Sequence, residues 1–161
     1  MKHRNIIFYL LGCLVFFAAV PLHAVETSTA PSSESIATAK RNALDLAEAL
    51  LNDGFRIRDG AWSVSLAPKE PLLLQVTLFS GNQYWFIAAA APPASALQVT
   101  LYDNTGHLVK LDPWKDDLTV SGARAAEGFV APRSGKYFVK LELLRSQGKA
   151  KADACLVYAY K

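Results

Sequence analysis

Apolar and polar residues alternate in short runs through residues 54–161, and turn-forming residues separate the runs. A period of two is typical of β-strands that bury one face. The clearest example is 129–140, where Pro132 and Gly135 lie between two such runs and Tyr137 begins the apolar series of the second. About eight to ten runs, at the intervals typical of sandwiches and barrels, predict an all-β domain, an antiparallel β-sandwich or jelly roll.

The turn residues also predict which strands pair. Asp59-Gly60 separates two short runs, the segment 80–83 separates the next two, and the segment 103–106 separates another two. Short connections of this kind are typical of β-hairpins. We therefore predict three hairpins at these turns and a fourth at the turn within 129–140.

Residues 34–53 follow a helical period instead. Apolar residues recur at spacings of three and four and form one stripe: Ile36, Ala39, Ala43, Leu46, Ala47 and Leu50. Ser32 or Ser33 can cap the start of this amphipathic helix, and Gly54 can end it. Because an isolated helix of this length is marginally stable, we expect the stripe to dock on the β domain. The alternative is a helix that binds a partner protein.

The start of the sequence is typical of a secretory signal peptide. Lys2 and Arg4 precede an uninterrupted apolar run, residues 6–20. This pattern predicts cleavage after residues 1–24 and an exported protein, either periplasmic or secreted. The run is shorter than the roughly 20 residues that a membrane span needs, so we expect no span after cleavage. Residues 25–33 are rich in Thr, Ser and Ala, which predicts a flexible tether.

The two cysteines give different predictions. Cys13 ends a segment that resembles a lipobox, so lipoprotein processing is the alternative to the signal peptide. That processing would leave the apolar residues 14–20 on the mature protein, so we favour cleavage after residue 24. Cys155 would then be the sole cysteine of the sequence, and no intrachain disulfide is expected. Its apolar neighbours predict that it is a small buried side chain.

The charge of the mature protein excludes one class of partner. Cleavage would leave 137 residues with 15 basic and 14 acidic side chains, a balance close to neutral. The cations are scattered along the chain and form no basic patch. Nucleic-acid binding needs such a patch to neutralise phosphates, so we expect none.

Three segments occur in the order that is typical of a known domain. They are 81–86 (GNQYWF), 97–106 (LQVTLYDNTG) and 129–139 (FVAPRSGKYFV). Over about residues 70–160 the chain resembles the bacterial pre-peptidase carboxy-terminal domain. The resemblance implies a secreted β-sandwich that accompanies a catalytic domain and has no catalytic residues. The family often carries an acidic pair where this chain has Gly81-Asn82-Gln83, a departure that weakens the case for its calcium site.

Aromatic side chains are the candidate ligand contacts. Trp114 lies in a polar loop beside Lys115, and Tyr102 precedes a turn, so these three residues form the predicted ligand-binding set. Aromatic rings offer flat surfaces on which sugar rings stack. Tyr84 and Trp85 are neighbours in one strand and therefore face opposite sides. The alternative for Trp114 is a ring that folds over the end of the sandwich as part of its packing.

Candidate metal ligands and catalytic groups are few. Asp103, Asp112 and Asp116 lie in two loops and offer the oxygen ligands that Ca²⁺ prefers. Their spacing matches no calcium loop, and turn formation already explains them, so we expect no cofactor. His107 is the sole histidine after cleavage, and with Cys155 it forms the one nucleophile and base pair that we can name.

These features predict a non-catalytic exported protein of a bacterial envelope. We expect it to bind a protein or glycan of the cell envelope as an accessory or interaction protein. The alternatives are a carbohydrate-binding module that uses Trp114 and, less favoured, an enzyme of an unfamiliar type.

Overall fold

The computed structural model describes residues 33–58, 60–91, 94–114, 123–146 and 151–161. The described residues form these elements: α1 (Ser33–Leu51), β1 (Arg56–Ile57), β2 (Trp62–Leu66), β3 (Leu72–Leu78), β4 (Gln83–Ala90), β5 (Ala94–Tyr102), β6 (Leu108–Val109), β7 (Asp112–Pro113), β8 (Arg124–Val130), β9 (Gly135–Ser146) and β10 (Ala152–Tyr160). The predicted signal peptide, and the predicted tether up to residue 32, lie outside the described residues.

Two antiparallel sheets pack face to face and confirm the predicted sandwich. The first sheet has the order β1-β10-β4-β8-β7, and β2 also pairs with β10. The second sheet has the order β3-β9-β5-β6. Alternate residues of both sheets fill the core between them, which we call the inter-sheet core. Its fully buried side chains include Leu78, Phe86, Leu101, Val139 and Leu156.

Helix α1 covers the outer face of the first sheet, as predicted. The buried residues of its stripe are Ala39, Ala43, Leu46, Ala47 and Leu50. They form a second core, the helix-side core, with residues of β4, β8 and β10 that include Ala89, Ala126 and Val157. Because β10 is covered on both faces, every residue from Ala152 to Ala159 is buried.

Helix α1 does not have the composition of a membrane-spanning helix. Its buried stripe is alanine-rich, and its exposed residues include Lys40, Arg41 and Glu48. No helix in the described part of the chain is long and apolar enough to cross a bilayer.

The hairpin predicted at the segment 103–106 is confirmed. Strands β5 and β6 pair, with Leu101 opposite Val109 and Tyr102 opposite Leu108. The Asp103 side chain closes the turn by accepting hydrogen bonds from the backbone N–H groups of Thr105 and His107, at 2.9 and 3.0 Å. The local turn chemistry therefore specifies this connection.

Two predicted hairpins are instead connections between the sheets. Strand β3 pairs with β9 in the second sheet, whereas β4 pairs with β10 and β8 in the first. Strands β8 and β9, on either side of Pro132, also belong to different sheets. Both strands of each pair turn their apolar faces toward the same inter-sheet core. The alternation and the turn residues are the same for a hairpin and for such an arch, so the sequence pattern did not distinguish them.

The hairpin predicted at Asp59-Gly60 is wrong for a different reason. Strands β1 and β2 do not pair with each other, because both pair with β10. Ile57 lies opposite Ala159 and Trp62 lies opposite Leu156. The step of five residues from β1 to β2 therefore corresponds to a step of three residues along β10. Two extra residues therefore lie between β1 and β2, and both strands run along the same neighbour. Asp59 itself lies outside the described residues.

Candidate functional site

A cleft of about 580 Å³ opens where the end of α1 meets the first sheet. Its volume lies within the range of roughly 300–1,000 Å³ that is typical of small-ligand sites. Aromatic side chains form its wall: Phe55, Trp85 and Trp114. Polar side chains surround them: Asp53, Gln83, Asp112 and Lys161. An apolar wall with a few polar groups is the usual composition of a ligand pocket.

Trp85 points into this cleft because of its position in β4. Its neighbours Tyr84 and Phe86 fill the inter-sheet core, so Trp85 faces the other side of the first sheet. Its ring packs against Trp114, with the ring centroids 4.8 Å apart and the planes at 66°, an edge-to-face pair. The Trp114 backbone N–H donates to the Ala126 carbonyl at 3.1 Å, which holds this residue beside the sheet.

Among the described residues, packing holds the Trp114 indole. Its N–H is buried and has no hydrogen-bond acceptor in the described part of the chain. The ring is half-buried and contacts the helix-side core, where Trp85 is its aromatic neighbour. This position agrees with the alternative that Trp114 packs against the sandwich, and it also leaves part of the ring on the wall of the cleft.

Gly128 of β8 gives Trp85 the room that its ring needs. A Cβ atom at position 128 would lie 3.0 Å from the Cη2 and Cζ2 atoms of that ring and 3.3 Å from the Asp112 carbonyl oxygen. Contacts this short require the ring or the backbone to move. The glycine is therefore needed for the close approach of Trp85 to β8.

Gly128→Ala is expected to lower the free energy of unfolding by about 1 kcal/mol, because the added methyl group displaces the Trp85 ring. Urea unfolding followed by circular dichroism measures this loss. Trp85→Phe provides the control, since the smaller ring leaves space for the methyl group. In that background the alanine is expected to cost almost nothing. An equal cost in both backgrounds would show that the ring is not the reason for the glycine.

Lys161 is the cation of the cleft among its described lining residues. Its backbone is fixed to the start of β4, because Lys161 and Gln83 exchange two backbone hydrogen bonds of 2.9 and 3.0 Å. Its Nζ atom lies 4.3 Å from the centre of the Phe55 ring and donates to the Asp53 carbonyl at 3.3 Å. This ammonium group is therefore held by an aromatic face and a neutral carbonyl.

Asp112 adds negative charge on the opposite side of the cleft. It is exposed on β7, where it pairs with Gly128. The nearby Glu127 carboxyl has a raised pKa, first because the side chain is partly buried and second because Asp112 is a like charge. Asp112 lines the cleft, whereas Glu127 alternates with Ala126 and Gly128 along β8 and faces the other side of the sheet.

The two described residues of the predicted ligand-binding set, Trp114 and Tyr102, do not lie together. Trp114 and Asp112 line the cleft at the first sheet. Tyr102 lies on the outer face of the second sheet, because its neighbour Leu101 is fully buried in the inter-sheet core. There Tyr102 is opposite Phe138 on β9. Lys115 and Asp116 lie outside the described residues.

The two described carboxylates of the predicted calcium site also lie apart. Asp112 lines the aromatic cleft, whereas Asp103 lines another cleft, between the β5–β6 turn and the connection from β8 to β9. The Asp103 Oδ1 atom already accepts three hydrogen bonds, two from backbone N–H groups and one of 2.6 Å from the Thr105 hydroxyl. In the described residues no three His, Cys, Asp or Glu side chains are placed to hold a metal ion.

Those hydrogen bonds make the stability of the β5–β6 turn depend on pH. The Thr105 hydroxyl, followed by the His107 N–H, lowers the pKa of Asp103 below its ordinary value of 3.8. A carboxyl with a depressed pKa contributes stability that is fully present above pH 3.8 and is lost as the pH falls through the lower folded value. Asp103→Asn is therefore expected to be less stable than the wild type at pH 6, with a difference that shrinks below pH 3.8. Urea midpoints at pH 2 to 6 measure this; a difference independent of pH would contradict it.

Cys155 and His107 cannot form the dyad that we considered. The Cys155 side chain is fully buried in the helix-side core, and burial raises the pKa of its thiol. His107 lies at the exposed turn after β5, with its Nδ1 atom 2.6 Å from the Thr105 hydroxyl oxygen. The prediction that Cys155 is buried is confirmed, and its thiol is out of reach of a substrate.

The sequence pattern found part of the cleft and missed the rest. Trp114 and Asp112 were candidates, and the alternation already predicted that either Tyr84 or Trp85 faces away from the inter-sheet core. The contact between Trp85 and Trp114 could not be predicted, because it depends on β7 lying beside β8. No local signal marks Lys161, because the pairing of β10 with β4 brings it to the cleft.

No protein-family model matches the chain, and no curated protein matches its sequence. The resemblance to the pre-peptidase carboxy-terminal domain therefore stays a prediction, and the function is argued from the fold and the cleft.

Proposed function

We propose that this protein is an exported, non-catalytic binding protein that holds a glycan of the cell envelope in the cleft of Trp85 and Trp114. The observation that carries the proposal is the edge-to-face pair of half-buried indole rings on one wall of a cleft of about 580 Å³. Aromatic faces pack against the C–H surfaces of sugar rings, and the polar side chains around them can bind hydroxyl groups.

The surroundings of the two tryptophans suit such a ligand. Gln83 offers both a donor and an acceptor, and the carboxylates of Asp53 and Asp112 accept from hydroxyl groups. The rings rest on rigid elements, since Trp85 belongs to a central strand and Trp114 is held to β8 through Ala126. A rigid site loses less conformational entropy on binding.

Export and the lack of catalysis rest on other features. The basic and apolar start of the sequence supports export, and the resemblance to an accessory domain supports a role beside other envelope components. The buried Cys155 thiol removes the one catalytic pair that we named. A binding role needs no such group.

Titration of the purified protein with a panel of envelope oligosaccharides tests the proposal by tryptophan fluorescence. We expect at least one glycan to shift the emission, and Trp114→Ala to weaken its binding about tenfold or more, a loss of about 1.4 kcal/mol. Trp62→Phe is the control, since Trp62 stacks on Tyr158 at 5.7 Å and contacts the inter-sheet core. The shift is expected to persist in that variant.

Two outcomes would contradict the proposal. One is the absence of any response over the whole panel. The other is an unchanged affinity in Trp114→Ala, with circular dichroism showing that the variant is folded. Isothermal titration calorimetry gives the affinities independently of the tryptophan that is removed.

A further inference from the structure

We infer that the group recognised in this cleft is an ammonium cation, and that Lys161 occupies its place until a ligand displaces it. This inference rests on the proposed function, because it names the chemistry of the ligand for the same cleft. The chemical class is an amine or a quaternary ammonium group, as carried by an amino sugar or by a choline-type headgroup.

The position of Lys161 is the first observation. Its Nζ atom lies over the Phe55 ring at 4.3 Å, within the distance at which a cation is attracted to an aromatic face. It donates to one neutral carbonyl, that of Asp53. In the described part of the chain no carboxylate forms an ion pair with Lys161. The cleft therefore already binds an ammonium group. This contact is weak enough for exchange, because Lys161 is exposed and a released ammonium group is well solvated by water.

The composition of the cleft is the second observation. Three aromatic rings, from Phe55, Trp85 and Trp114, are combined with the carboxylates of Asp53 and Asp112. Ring faces attract cations through their quadrupole, and the attraction grows as water is removed. Two carboxylates against one lysine give these lining residues a net negative charge. These residues would repel an anionic ligand, and a neutral ligand would gain the stacking and the hydrogen bonds but not the attraction between opposite charges.

A protonated ligand amine can replace the hydrogen bond that Lys161 makes to the Asp53 carbonyl, whereas a quaternary ammonium group has no N–H and gains only the attraction of the rings and carboxylates. Displacement of Lys161 then returns its ammonium group to water.

Two matched pairs of ligands test the inference by calorimetry at pH 6, where the amines are protonated. The first pair is a glucosamine tetrasaccharide and its N-acetylated counterpart. The second pair is choline and 3,3-dimethylbutan-1-ol, which has the same shape without the charge. We expect the cationic member to bind about tenfold more tightly in the pair that fits the cleft, and the responding pair distinguishes an amino sugar from a headgroup.

Variants of the internal cation provide a second readout. Lys161→Met keeps an apolar stem and removes the ammonium group, so we expect cationic ligands to bind several-fold more tightly. Lys161→Arg keeps the charge and is expected to bind them as the wild type does. Asp112→Asn is expected to weaken cationic ligands and to leave neutral ones unchanged.

The outcomes separate this inference from the proposed function. Equal affinities for the cationic and neutral members of both pairs overturn the inference. So does a neutral glycan that binds through Trp114 when neither cationic compound binds. Either result leaves the proposed function standing. An unchanged affinity of Lys161→Met for cationic ligands also contradicts the claim that the ligand displaces Lys161. Failure of every compound, including the envelope panel, overturns both.

Discussion

Asp153→Ala is expected to lower the free energy of unfolding by about 2–3 kcal/mol. The Asp153 side chain lies beneath the start of α1 and is only 9% exposed. Its two carboxylate oxygens accept hydrogen bonds from the hydroxyls of Ser35 in α1 and Ser65 in β2. Alanine would leave both half-buried hydroxyls without this acceptor and would remove a negative charge from the positive end of the helix dipole. Urea unfolding followed by circular dichroism measures the loss.

Two comparisons separate the lost hydrogen bonds from other effects of the substitution. Asp153→Asn keeps the shape of the side chain and can accept from one serine while donating to the other, so we expect a clearly smaller loss. A double variant with alanine at Asp153 and Ser65 is expected to be at least as stable as Asp153→Ala alone, because the Ser65 hydroxyl that loses its acceptor is also removed. A full additional loss from Ser65→Ala would contradict the role of Asp153 as its acceptor.

The Asp153 side chain also helps to position α1 on the first sheet. It joins α1, β2 and β10, which are brought together only in the folded chain. Cys155 and Val157 follow it on the same face of β10 and lie in the helix-side core. The polar contact is therefore at one end of the interface, and the apolar contacts extend along it. The other end of α1 reaches the cleft, where Leu50 and Asp53 line the wall.

The strands and the helix could be predicted because their patterns are local. The stripe on α1 and the alternation in β9 depend on residues within one or two turns or pleats of each other. Both predicted elements are present, and Tyr137, Val139 and Leu141 are buried as the alternation indicates. Local patterns also placed Tyr84 and Trp85 on opposite faces, which the two cores confirm.

Strand pairing beyond the β5–β6 hairpin and the complete cleft could not be predicted, because they depend on contacts between distant parts of the chain. A turn such as that around Pro132 reverses the chain whether the next strand joins the same sheet or the facing one. Lys161 reaches the cleft only because β10 pairs with β4, so that Tyr160 lies opposite Tyr84. An Asp in an otherwise apolar strand, as at Asp153, marks a buried polar group but does not identify its partners.

Ala43→Leu is expected to destabilise the protein by about 2–3 kcal/mol, because the interface between α1 and the first sheet has no room for a larger side chain. Ala43 is completely buried near the middle of the helix. The helix-side core around it contains small residues, including Ala89 and Ala126 of the first sheet and Ala91 directly after β4. Small side chains on both surfaces bring the helix close to the strands, and a leucine would push it away.

Ala49→Leu is the matched control, because Ala49 is on the exposed face of the same helix. Alanine and leucine have similar helix propensities, so the change in propensity is small in both variants. We expect a change within about 0.5 kcal/mol for this variant. Displacement of α1 by the leucine at position 43 also moves Leu50 and Asp53 at the cleft, so ligand affinity is expected to fall in Ala43→Leu and to stay unchanged in Ala49→Leu. Equal stabilities of the two variants would show that α1 is loosely packed on the sheet. A loss of stability in Ala43→Leu without a loss of affinity would show that the cleft forms independently of the helix position.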